Sequence, residues 1–76
     1  MDNAQTAQLI KNECKKKSVS VKEMLVECNV RKGFIYDLEK RSATPSGEVL
    51  EKIADYLDVS IDYLVGRTEI PEVNRG

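Results

Sequence analysis

The sequence contains no histidine and no tryptophan, and it has only two cysteines, two prolines and one phenylalanine among 76 residues. Without histidine, imidazole catalysis and His-ligated metal sites are excluded, and two sulfurs alone do not complete a tetrahedral thiolate site. A Ser/Cys–His pair and a glycine-rich phosphate loop are also missing. A chain of this length makes one small domain, in which an enzyme pocket is hard to build. We therefore expect a binding module without catalytic activity, metal or cofactor.

Long apolar runs are absent as well. No stretch approaches the roughly 18 apolar residues of a membrane span, and the opening MDNAQTAQLIKNECKKK has no apolar core of a secretory signal. We expect a cytoplasmic protein that contacts no membrane. In that compartment Cys14 and Cys28 are predicted to be reduced and buried, because each falls on an apolar helix face; a disulfide is the alternative.

The chain also lacks a strong net charge, which is −1, but the charges are unevenly distributed. Residues 1–46 carry nine Lys/Arg and six Asp/Glu, whereas residues 47–76 carry three and seven. The net charges of the two parts are thus +3 and −4. This asymmetry predicts that one end of the molecule faces a polyanion.

Apolar residues recur at helical spacing throughout, which predicts an all-α fold of five helices at about 4–17, 21–28, 31–40, 47–57 and 61–65. Ser20, Ser46 and Ser60 are predicted N-caps, with Glu23 completing a capping box, and Asn29 is predicted to be left-handed. We expect the helices to form a domain over residues 1–68 and residues 69–76 to form a short tail. The predicted core residues are Ala7, Leu9, Ile10, Cys14, Met24, Leu25, Cys28, Ile35, Leu38, Leu50, Ile53, Ala54 and Leu57.

The helices at 21–28 and 31–40 are joined by a turn of about three residues, which is the helix-turn-helix arrangement. Helical hairpins are common, so this spacing alone is a weak signal. More specific sequence fragments are Val19–Leu25 at the start of the second helix, Asn29-Val30 in the turn, Phe34–Lys40 in the third helix, Thr44–Ser46 followed by Leu50–Leu57, and Val59–Thr68. In these fragments the chain resembles phage Cro proteins and lambda-type repressors (Xre-like), and in particular small regulators of Gram-positive phages and mobile elements.

This resemblance implies a five-helix DNA-binding domain whose recognition helix, 31–40, enters the major groove of double-stranded DNA. By position, the implied base contacts are Lys32, Gly33, Tyr36 and Asp37. The expected backbone contacts, which surround that helix, are Lys22, Arg31, Lys40, Arg41, Ser42 and Thr44.

Three of these four base contacts have a plainer alternative. Lys32 is otherwise a solvated lysine, Tyr36 otherwise leans on the core, and Asp37 otherwise pairs with Lys40 or Arg41 at helical spacing. Phe34 is expected to pack rather than to contact DNA.

The sequence departs from the family pattern at four positions. Val21 stands where the family has a DNA-contacting Gln, Asn29 replaces the turn Gly, and Arg31 replaces a Ser or Thr cap. Cys14 replaces an Arg, which leaves Glu39 without its usual partner.

A domain of this size is expected to bind a palindromic operator as a weak homodimer. The predicted dimer surface is Ile61, Tyr63, Leu64 and Ile70 in the acidic half; the alternative is that these residues close the core. The expected function is a sequence-specific transcriptional regulator, a repressor of prophage or mobile-element type. The alternative function is a protein-interaction module, such as an antitoxin or adaptor, with DNA binding secondary.

Overall fold

The computed structural model describes residues 2–41 and 45–67. These residues form five helices and no strand: α1 (Asn3–Lys16), α2 (Val21–Glu27), α3 (Phe34–Lys40), α4 (Gly47–Leu57) and α5 (Ile61–Leu64). The all-α fold of five helices is therefore confirmed. The predicted bounds of α4 agree with the structure, and those of α1, α2 and α5 differ from it by one residue.

Four helices begin at a side chain that accepts a hydrogen bond from a backbone N–H of the first turn. Ser20 Oγ accepts from the Glu23 amide at 2.9 Å, Ser46 Oγ from Val49 at 3.2 Å, and Ser60 Oγ from Tyr63 at 3.0 Å. Asp2 does the same for α1, accepting from the Gln5 amide at 3.2 Å. These caps satisfy amides that the helix itself leaves unpaired, and the three predicted serine caps are confirmed.

The ends of α1, α2 and α4 share one device, a left-handed residue just beyond the helix. Ser18, Asn29 and Asp58 have φ of 58°, 57° and 56°. In each case the next amide bonds back to a carbonyl five residues earlier, as from Val30 to Leu25 at 2.8 Å. This is the Schellman pattern, and the left-handed conformation predicted for Asn29 is confirmed.

The start of α3 differs from the prediction. The helix begins at Phe34 instead of residue 31, and residues 31–33 form a turn closed by a hydrogen bond from the Phe34 amide to the Arg31 carbonyl at 3.2 Å. The physical reason is the missing cap. The N-cap is Gly33, which makes no side-chain hydrogen bond, and Arg31 has no side-chain acceptor to offer.

The core surrounds α1, which packs against α2, α3 and α5, while α4 packs against α5. Every predicted core residue is buried except Leu9, which packs against the core partly buried. Phe34 is also buried, at 7% exposed, so its predicted packing role is confirmed. Val59 and Leu64 join the core as well. The inner faces of α2 and α3 thus pack in the core, and their outer faces are exposed to solvent.

Candidate nucleic-acid interface

The outer face of α3 presents a stripe of three exposed side chains. Tyr36 and Lys40 are exposed one helical turn apart on α3, and Lys32 is exposed in the turn that leads into the helix. Tyr36 is 58% exposed, which places the phenol in solvent and not against the core. We refer to Lys32, Tyr36 and Lys40 as the exposed stripe. It combines two ammonium donors with a flat apolar ring, a set that suits base edges and phosphates.

Asp37 does not belong to that stripe, and its surroundings favour the ion pairing that the sequence offers as the alternative to a base contact. The residue is 8% exposed, and its carboxylate forms ion pairs with Arg31 and with Arg41. Arg41 Nε lies 3.9 Å from Asp37 Oδ1, and Arg31 Nη2 contacts Asp37 Oδ2. A buried carboxylate engaged by two guanidinium groups has little left to offer a cytosine amine. Of the pairings considered from sequence, the one with Arg41 is present.

Gly33 lies beside this ion-pair cluster. A Cβ at Gly33 would stand 3.5 Å from Arg31 Nη1 and 3.9 Å from Asp37 Oδ2, which are ordinary contact distances. The glycine is partly exposed at the start of α3. It therefore leaves backbone accessible between Lys32 and the cluster, without being required there by space or by a positive φ.

The expected backbone contacts lie mostly at the rim of α3. Lys22, Arg31, Lys40 and Arg41 are all exposed, with 70% of the Arg31 side chain and 74% of the Arg41 side chain accessible. Ser42 and Thr44, the other two expected contacts, fall outside the residues that the structure describes.

A shallow apolar groove adjoins the exposed stripe at the outer side of α2. It has a volume of about 360 Å³ and includes Val26, which is 66% exposed although valine is apolar. Its lining residues are Val21, Lys22, Leu25, Val26, Val30 and Lys32. Two lysines and no carboxylate thus line the groove, and Val21, the departure from the family's Gln, forms part of it.

Glu39, which lacks the usual family partner at position 14, has a different partner. Its carboxylate pairs with Lys11 of α1, whose side chain is 39% exposed. Lys11 therefore takes over the pairing that the substitution at Cys14 removes, from a position three residues earlier on the same helix.

The lysines that end α1 are partly engaged by a buried carboxylate that the sequence analysis missed. Glu13 is 3% exposed, and its oxygens lie 3.0 Å from Lys16 Nζ and 3.7 Å from Lys17 Nζ. Lys16 and Lys17 follow Glu13 by three and four residues, a helical spacing that predicts such ion pairs. These two lysines thus neutralise the buried carboxylate of Glu13 at the end of α1.

The predicted dimer surface is only partly on the outside. Ile61 is 38% exposed and Tyr63 is half-buried, but Leu64 is fully buried in the core, which corrects its assignment to an interface. Ile70 lies outside the described residues. A groove of about 330 Å³ beside Ile61 has three acidic residues in its lining, Glu51, Asp55 and Asp62.

Cys14 and Cys28 are thiols in the core, 1% and 7% exposed, as predicted. Burial raises the pKa of both thiols. In residues 2–41 and 45–67, no group of three Cys, Asp or Glu side chains is placed to hold a metal ion. No helix in the same residues is long and apolar enough to cross a membrane.

Comparison with known proteins gives one match. The helix-turn-helix family model HTH_3 matches residues 10–64, which span α2, α3, the turn between them and most of the remaining helices. No curated protein and no solved structure matches the chain.

Proposed function

Because the chain belongs to the helix-turn-helix family of Cro type, a family of DNA-binding domains and not of enzymes, we propose that it is a sequence-specific transcriptional regulator. In this proposal it represses genes of a prophage or mobile element in the cytoplasm. Its DNA target is a palindromic operator in double-stranded DNA, which it binds as a homodimer.

The observation that carries the proposal is the exposed stripe of Lys32, Tyr36 and Lys40. Tyr36 and Lys40 are the fully exposed residues of α3, whereas Phe34, Ile35 and Leu38 are buried, and Lys32 is exposed just before the helix. A helix in the major groove reads sequence through such outward side chains. Lys32 and Tyr36 therefore serve as the base contacts, and the backbone at Gly33 lies close to the base edges in the major groove of the DNA.

Phosphate contacts supply most of the affinity in this arrangement. Lys40 belongs to the stripe, and Lys22, Arg31 and Arg41 lie near it; all four are exposed. The net charge of +3 over residues 1–46 supports an orientation in which this side meets the DNA and the acidic side faces away.

The direct test selects binding sites from a random duplex pool and compares Lys32→Ala with wild type on the best site and on random DNA. We expect Lys32→Ala to cost about 1–3 kcal/mol on the selected site and little on random DNA. The matched control is Lys52→Ala on α4, which also removes one exposed cation, but from the acidic half. An equal loss on both DNAs would make Lys32 a phosphate contact instead.

A second function, as a protein-interaction module, is favoured by the exposed Val26 and its groove. An apolar side chain that is 66% accessible suits a protein partner better than it suits water. The salt dependence of binding to random duplex separates the two functions, because a DNA-groove binder loses affinity steeply as salt rises. A shallow salt slope with weak binding would favour the interaction module.

A further inference from the structure

One carboxylate stands between two guanidinium groups that come from opposite ends of α3. Arg31 precedes the helix, Arg41 is its C-cap, and both contact Asp37 within it. The carboxylate is shielded, with 12% of the side chain accessible, whereas the two arginine side chains are about three-quarters exposed. The cluster therefore buries its single negative charge and exposes its two positive ones.

We propose that Asp37 is a positioning residue that holds Arg31 and Arg41 ready to clamp the DNA backbone at the two ends of α3. This inference rests on the proposed DNA-binding function and extends it. A guanidinium group has five N–H donors, so an arginine that engages Asp37 with one edge keeps others for a phosphate. Arginine side chains that are already ordered in the free protein lose less conformational entropy when DNA binds, which favours binding.

The charge of Asp37 allows a sharp test, because a positioning role and a merely repulsive role predict opposite changes in DNA affinity when the charge is removed. Asp37→Asn keeps the shape and removes the negative charge. If Asp37 only repels phosphate, this variant binds DNA more tightly than wild type. If Asp37 positions the arginines, the variant binds more weakly although its net charge is more positive.

We expect Asp37→Asn to weaken binding by about three- to tenfold, equivalent to roughly 0.7–1.4 kcal/mol, on both the selected duplex and random duplex. Phosphate contacts carry no sequence information, so both DNAs are affected alike. The dependence of log K on log salt should become shallower by about one unit, as one phosphate contact is lost. A loss confined to the selected duplex would mean that Asp37 reads a base, and it would overturn the positioning role.

A second measurement needs no DNA. Nuclear relaxation of the arginine Nε–H groups reports how rigidly each side chain is held. Arg31 and Arg41 should be ordered in wild type and mobile in Asp37→Asn. Arg67, which pairs with the exposed Asp62 at 3.7 Å, is the internal control and should be unchanged. If Arg31 and Arg41 are already as mobile as Arg67 in wild type, the proposal is wrong.

The outcomes also separate this inference from the function on which it rests. If the wild-type protein selects no duplex, the proposed function fails and the clamp fails with it. If wild type binds and Asp37→Asn binds more tightly, only the role of Asp37 fails. Should Asp37→Asn not fold, Arg31→Lys and Arg41→Lys replace it: both keep the charge, and weakened binding would support a held guanidinium, whereas unchanged binding would overturn it.

Discussion

Lys11 of α1 and Glu39 of α3 form an ion pair that joins the central helix to the candidate recognition helix. Both side chains are partly shielded, at 39% and 29% exposed, and the pair links residues far apart in sequence. It therefore ties the orientation of α3 to the core at a point close to its C-terminal end.

We predict a coupling free energy of about 0.5–1 kcal/mol between Lys11 and Glu39. Chemical unfolding of Lys11→Ala, Glu39→Ala and the double variant gives the coupling by a double-mutant cycle. The Glu48–Lys52 pair of α4 is the control, since it lies within one helix with Glu48 80% exposed, and about 0.3–0.5 kcal/mol is expected there. Equal coupling in the two pairs would show that the link between α1 and α3 adds nothing.

Local features of the fold can be predicted from the sequence, whereas this contact between two helices cannot. The bounds of α4 and the caps at Ser20, Ser46 and Ser60 follow from local rules, since apolar spacing and a hydroxyl before a helix act within a few residues. The Lys11–Glu39 pair depends on how two helices meet, which periodicity does not encode.

The same limit explains the errors at the candidate interface. Periodicity predicts that Asp37 faces outward because Ile35 and Leu38 face inward. In the structure Asp37 is buried and pairs with Arg31, which lies in a turn and not in the predicted helix. Leu64 was assigned to a surface because a four-residue helix is too short for its inner face to be read from a pattern.

Two adjacent residues of α2 should respond oppositely to truncation. Leu25 is 5% exposed and packs in the core, so Leu25→Ala should reduce the free energy of unfolding by about 2–5 kcal/mol. Val26 is 66% exposed, and alanine has the higher helix propensity, so Val26→Ala should leave stability unchanged or raise it by about 0.5 kcal/mol. Urea unfolding measures both. A marked loss for Val26→Ala would mean that Val26 is covered in solution.

The thiols should be protected in the folded protein and should react in a fixed order. The thiolate is the nucleophile, and burial raises the pKa of Cys14 and Cys28, so both should react slowly with a bulky alkylating reagent near neutral pH. Cys28 is more exposed than Cys14, at 7% against 1%, and it should be labelled first. Mass spectrometry of timed samples checks the order, with labelling in denaturant as the control. Rapid labelling of both thiols in the native state contradicts the buried placement.

The same pKa shifts predict how stability depends on pH. The unfolded chain ionises its thiols near their ordinary pKa of about 8.5, before the folded protein does. Above that pH the unfolded state therefore binds fewer protons than the folded state, and the free energy of unfolding falls until the higher folded pKa is passed. Replacing both cysteines with alanine should flatten this decline. An unchanged decline would assign it to other groups.

A homodimer is expected to assemble through the acidic half, residues 47–76. Two recognition helices must stand about 34 Å apart to enter successive major grooves, which calls for a contact away from the DNA-facing side. Among the residues of that half that the structure describes, Ile61 is the exposed large apolar one. Ile61→Asp should therefore reduce binding to a palindromic site while leaving binding to a single half-site nearly unchanged.

The carboxylates around Ile61 make the expected dimer weak in a specific way. Glu51, Asp55 and Asp62 line the same groove, so two copies meeting there bring like charges together. Added salt should then strengthen dimerisation while it weakens DNA binding, and Asp55→Asn should strengthen the dimer without touching α3. Sedimentation velocity at two salt concentrations measures the effect of salt on dimerisation. The same method compares the dimerisation of Asp55→Asn with that of Ile61→Asp. Ile61→Asp adds a negative charge at this surface, and Asp55→Asn removes one. If neither substitution changes dimerisation or binding to the palindrome, this surface is not the dimer contact.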